Sequence, residues 1–227
     1  MATGWSGWWR DIRAICVKEI RSELRTRYAL NAIVLFAVTT VTVVGAATAQ
    51  TGVGPRTQAA LFWIVVFFSA MSALAQVFVK EEETGTAMAL KLSARSEAVF
   101  FGKLLFNLLL LAGLQLLLTP LFILLVGLEI HNWALFLSIV GLGTVGLACA
   151  TTIIAAIVAQ ASIRGALFAV LSFPILLPLL IAAIGGTQAA LDPVGAATAA
   201  AEIKLLAAYA VAMLTASWLL FDFVWWA

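Results

Sequence analysis

The chain has 227 residues, of which 64% are hydrophobic and only 11% charged, with a formal net charge of +2. Soluble domains carry about 25% charged residues, so there is too little polar surface here to cover a globule in water. No basic patch is interleaved with aromatics, which leaves no footprint for nucleic acid.

Residues 1–27 read as a cytoplasmic or interfacial elbow helix. Trp5, Trp8, Trp9, Ile12, Cys16, Ile20 and Leu24 recur at three- and four-residue steps and form one apolar stripe. Arg10, Arg13, Lys18, Arg21 and Arg25 fill the remaining surface. A basic, Trp-rich amphipathic helix is expected to lie in the lipid headgroup region, with Trp5, Trp8 and Trp9 as anchors. No cleavable signal is expected, because mixed charge precedes the first long apolar run.

Residues 28–227 read as a single transmembrane domain of six helices, so the fold class is all-α integral membrane. The predicted crossings are Tyr28–Gln50, Ala59–Val79, Leu104–Gly127, Trp133–Ala159, Gly165–Ile184 and Leu205–Trp225. Each has about 20 residues or more, enough for ~30 Å of hydrocarbon at about 1.5 Å per residue. All are apolar all round, whereas barrel strands alternate. The loop Leu128–Asn132 is so short that the third and fourth helices are expected to be antiparallel neighbours. Pro174 and Pro178 remove two backbone donors from one face of the fifth crossing and predict a kink. Residues 185–204 are Ala/Gly-rich and too apolar for an ordinary loop, so they predict a short re-entrant or interfacial segment on the outer side.

Charge sets the orientation. The N-terminal tail carries six basic residues, the loop 80–103 carries Lys80, Lys91, Arg95 and Lys103, and the fourth loop carries Arg164. That puts 11 of the 13 basic residues on one side and leaves Arg56 and Lys204 for the other. Lys and Arg are retained on the cytoplasmic side, so both termini are expected in the cytoplasm of a multi-pass inner-membrane protein.

The cytoplasmic loop 80–103 concentrates candidate function. Glu81, Glu82 and Glu83 are followed by Thr84-Gly85-Thr86 and then by Met88, Leu90 and Leu92. A purely solvated loop has no need of that apolar stretch, so a docking element for a cytoplasmic partner is expected.

With these residues the chain resembles the membrane subunits of ABC-2-type transporters, and within them the CcmB family, the permease of cytochrome c maturation also called haem exporter protein B. The resemblance rests on Glu83-Thr84-Gly85-Thr86-Ala87-Met88 with Leu90, Leu92 and Ala94, on Lys18 to Phe36, on Leu61–Leu92 and on Ser172–Leu180. Met88 stands where the family often has Glu, and Ala94 where Pro is common. The resemblance implies an ABC-2-type exporter permease fold. It also implies that the loop is a coupling element for an ATPase subunit, with Glu81, Glu82, Glu83, Gly85, Met88 and Leu90 as its contacts. The implied partners are a CcmA-like ATPase, CcmC-like and CcmD-like membrane proteins and a second copy of the chain, in contact with membrane lipid. Haem is handled by such a complex, through export or through release of a haem-loaded chaperone.

No cofactor or metal is expected on the chain itself, and ATP and Mg belong to the partner. There is no GxxxxGK[ST], and the GxGxxG match Gly141–Gly146 lies inside an apolar run, where small residues serve close helix packing. Trp8-Trp9-Arg10-Asp11 is better read as anchoring than as a haem motif, because it falls on the cytoplasmic side. His131 is the only histidine and cannot supply two axial ligands; it is a possible outer-face contact. Cys16 and Cys149 are too far apart in sequence to indicate a disulfide or metal site. Paired carboxylates and HExxH are absent, so no enzymatic activity is expected. Gln76, Asn107, Gln115 and Gln160 are expected to make interhelical hydrogen bonds. Two other functions fit the same residues: an ABC-2 exporter of a lipid or other hydrophobic substrate, and a non-transporting membrane scaffold.

Overall fold

The computed structural model describes residues 5–26, 28–49, 52–74, 87–159, 164–193, 195 and 199–226. Among these residues the chain is helical throughout, with no strand. The helices are α1 (Trp5–Thr26), α2 (Tyr28–Thr48), α3 (Pro55–Leu74), α4 (Ala87–Ser93), α5 (Ser96–Leu125), α6 (Trp133–Ala159), α7 (Arg164–Leu191) and α8 (Ala200–Trp226). Among the described residues four stretches are long and apolar enough to cross a membrane: Ser96–Leu125, Trp133–Ala159, Val170–Leu191 and Ala200–Trp226. A shorter apolar stretch covers Ile33–Thr48. In hydrocarbon the backbone must satisfy itself, which is why such runs become helices.

The helices pack against one another in one bundle with two ends. At one end, here the α1 end, Trp8 of α1 meets Phe101 of α5, and Phe100 of α5 meets Phe221 of α8. At the opposite end the contacts are largely to main chain. His131 and Asn132 both donate their N–H to the Ala190 carbonyl, at 3.2 and 3.0 Å. Gln58 Nε2 donates to the carbonyls of Val126 and Gly127. Gly127, at φ 70°, turns the chain out of α5, and Asn132 Oδ1 caps α6 by accepting from Leu135 N at 3.0 Å.

The core is centred on α6, which packs against α7 and α8, with α3 lying against α7. Trp63 is fully buried and donates Nε1–H to Thr187 Oγ1 at 2.8 Å. Gly143 makes room for it: a Cβ there would lie 2.3 Å from the Trp63 ring. Gly146 does the same for Leu179 and Tyr209. Close packing in α6 is therefore what two glycines of the GxGxxG match supply, while Gly141 faces open space. Asn107 Nδ2 donates to Thr152 Oγ1 at 2.8 Å and joins α5 to α6, the kind of interhelical bond expected of it. Gln76 and Gln160 lie outside the described residues.

Two expectations meet a different structure. First, α5 starts at Ser96, well before Leu104, so Lys103 belongs to a buried helical turn rather than to a solvated loop. Second, the stretch 185–204 does not make a separate segment of its own: Gly185–Leu191 continue α7 and Ala200–Lys204 open α8. Uniform small apolar residues let both neighbouring helices extend into it. Pro174 and Pro178, where a kink is expected, both lie inside α7 and are exposed.

Candidate functional site at the α1 end

The described part of the predicted coupling loop is α4. Seven residues are too few for a helix to persist alone, so α4 depends on what it touches. Leu90 packs against the hydrophobic core. Lys91 Nζ stands 5.4 Å from the centroid of the Trp225 ring in the last turn of α8, within cation–π range. Met88 and Leu92, one helical turn apart, point the other way and are 65% and 81% exposed. The short helix thus has an inner face that binds the bundle and an exposed apolar outer face.

The seat under α4 is itself tied together. Trp225 stacks on Phe221 at 5.6 Å, and Phe221 lies 5.2 Å from Phe100 in α5. Ser96 Oγ donates to Asp222 Oδ1, joining the start of α5 to the end of α8. Arg95 and Glu97 form an exposed ion pair at 2.9 Å, of the kind that adds little stability.

Next to this seat, α1 lies along α5. Ile12, Ile15 and Cys16 are buried against the bundle. Gly102 allows the approach, since a Cβ there would meet Ile15 Cγ2 at 2.7 Å. Lys103 Nζ, fully buried, donates to Glu19 Oε1 at 2.9 Å, and Lys18 reaches the same oxygen at 3.3 Å. Breaking a buried pair by removing one partner costs about 3–5 kcal/mol, so this bond locks α1 to α5. Burial, and then the negative charge of Glu19, push the Cys16 thiol above its ordinary range.

The apolar stripe of α1 is therefore turned partly into the protein. Trp8 is half-buried between Trp9 and Phe101, at 4.9 and 5.6 Å, while Trp9 is 59% exposed. Trp5 lies in α1, and its side chain falls outside the described part.

Of the predicted coupling residues, Glu81, Glu82, Glu83 and Gly85 lie outside the described residues. Met88 is presented outward, and Leu90 faces the bundle and holds α4 in place. His131 is exposed at the opposite end, so it is not brought together with α4. Among the described residues no group of three His, Cys, Asp or Glu side chains could hold a metal ion.

Sequence reasoning missed two contacts. The Glu19–Lys103 pair had a signal, because Glu19 occupies a core-facing position of the stripe, three residues after Cys16. The Lys91–Trp225 contact had none, since it joins two segments far apart in sequence.

No curated protein matches the chain. The family comparison is decisive by itself: residues 10–222, nearly the whole length, match the profile described as CcmB protein, and the chain belongs to that family.

Proposed function

We propose that this chain couples ATP hydrolysis on a separate subunit to work in the membrane, with α4 as its coupling helix. Its family is that of the haem-exporter-type ABC permease components of cytochrome c maturation. The finer reading has six crossings of the bacterial inner membrane, both termini in the cytoplasm, and the α1 end facing the ATPase. The charge asymmetry favours that orientation, because 11 of 13 basic residues fall in the N-terminal tail, in 80–103 and at Arg164, the stretches read from the sequence as cytoplasmic.

The observation that carries the reading is the split of α4. Leu90 is held by the bundle while Met88 and Leu92 remain exposed on one face. Apolar side chains offered to water on a short docked helix are what a partner's cleft would cover. Through Lys91 and Trp225 any displacement of α4 would reach α8, and through Asp222 and Ser96 it would reach α5. The proposed partners are a CcmA-like ATPase that brings ATP and Mg, CcmC-like and CcmD-like membrane proteins, and a second copy. Release of a haem-loaded chaperone by mechanical coupling is favoured over haem export, because the only histidine is exposed at the opposite end.

The test is the double substitution Met88→Glu/Leu92→Glu, purified from native membranes in mild detergent. ATPase co-purification should fall about tenfold or more, the weight of two apolar anchors, while the chain remains monodisperse. An undiminished ATPase would remove α4 from the coupling surface.

A further inference from the structure

Between α5 and α6 runs an open groove of about 750 Å³. Its walls include Leu109, Leu116, Leu137 and Trp133, each at least half exposed. Three wall residues, Gln115, Thr119 and Thr144, depart from this apolar pattern, and Thr144 Oγ1 is satisfied within its own helix, donating to the Val140 carbonyl at 2.7 Å. Gln115 is only 6% exposed, and its Oε1 has no hydrogen-bond partner. A surface meant only for lipid needs neither a concavity nor an amide.

Depth identifies what can satisfy Gln115. It lies roughly 15 Å along α5 from the helix end at Leu125, at about 1.5 Å per residue, which is half of a ~30 Å hydrocarbon layer. Water and headgroups stay at the surfaces. An acyl chain at that depth has no donor or acceptor, and an unsatisfied amide in hydrocarbon is strongly unfavourable. The complementary group must therefore arrive on something that itself crosses the membrane.

A second copy of this chain fits poorly. A two-fold contact sets a patch against itself, and one concave groove does not fill another. A single convex helix does fill it. On the floor, Gly141 faces open space, so a backbone can come close.

We propose that the α5–α6 groove seats one transmembrane helix of a different membrane protein, which brings a Ser, Thr, Asn or Gln side chain to Gln115. This requires that the bundle sit in a bilayer, and does not require that α4 contact an ATPase.

The experiment places a photo-crosslinking residue at Leu116, which is 79% exposed in the groove wall, in the full chain in its native membrane. Mass spectrometry then identifies the adduct. The expected adduct is a hydrophobic spanning peptide of another protein with a Ser, Thr, Asn or Gln within one turn of the linked position. Its yield should drop about fivefold in Gln115→Leu, the size of one interhelical hydrogen bond in a membrane. It should vanish in Gly141→Phe, whose ring enters the groove where the chain offers no obstacle. Adducts to lipid alone, adducts to a second copy, or a peptide adduct indifferent to Gln115→Leu would each overturn the proposal. ATPase co-purification should be unchanged in both variants, so this result and the α4 result fail separately.

Discussion

The two ends of the bundle are held by different chemistry. At the opposite end the ties are to main-chain carbonyls: Ala190 accepts from His131 and Asn132, and Val126 and Gly127 accept from Gln58. At the α1 end the ties are between side chains: Lys103 to Glu19, Lys91 over Trp225, and Ser96 to Asp222. Main-chain ties fix helices in one register. Side-chain ties can be broken one at a time, leaving the bundle standing while a single element is released. The α1 end is therefore the end at which displacement of α1 or α4 is expected to leave the rest folded.

The largest expected effect comes from Lys103→Ala, which removes the buried partner of Glu19 and leaves it the partly exposed Lys18. Loss of a partner from a buried pair costs about 3–5 kcal/mol. Limited proteolysis should cut within α1 while α5 to α8 stay protected. Glu19→Gln/Lys103→Met, which removes both charges, should restore most of the protection. Global unfolding in the single variant would erase the distinction between the two ends.

A smaller pair of effects sharpens it. Gly45→Ala would set a Cβ 2.7 Å from the Leu125 carbonyl oxygen, whereas Gly102→Ala meets Ile15 side-chain atoms of α1. Overpacking costs about 1–3 kcal/mol. Gly45→Ala should lower the melting temperature of the whole bundle in detergent. Gly102→Ala should mainly expose Cys16, now 4% exposed and with its thiol pKa raised by burial and by Glu19, to thiol reagents. Equal melting shifts with no gain in Cys16 labelling would contradict the comparison.

Two further variants probe single ties. Asn132→Ala removes the cap of α6 but keeps the main-chain bond to Ala190, and should cost about 1 kcal/mol by thermal unfolding. Lys91→Gln removes the contact with Trp225, worth about 0.5–1 kcal/mol. It should raise the labelling of a cysteine placed at Leu90 while leaving the melting temperature almost unchanged. A large melting shift in Lys91→Gln would make α4 part of the bundle's framework.

Much of the architecture was legible from residue order. Tyr28, Trp133 and Ala159 bound helices where the apolar runs begin and end. The antiparallel packing of α5 and α6 follows from the short connection between them. Lys103 was misassigned because a charge near the end of an apolar run reads as a loop residue. Its partner, Glu19, lies 84 positions away. The face of α4 that binds the bundle was equally hidden: Met88, Leu90 and Leu92 look alike in a heptamer, and only the position of Trp225 tells inner from outer.

The sequence by itself determined that this is a membrane protein of the CcmB family, because hydrophobic run length and motif order are local properties of the chain. Tertiary structure decided which polar groups are paired. Glu19 finds Lys103, Trp63 finds Thr187 and Asn107 finds Thr152 only when distant helices meet. In a low-dielectric interior those pairings outweigh local preference, since a polar group without a partner is costly there.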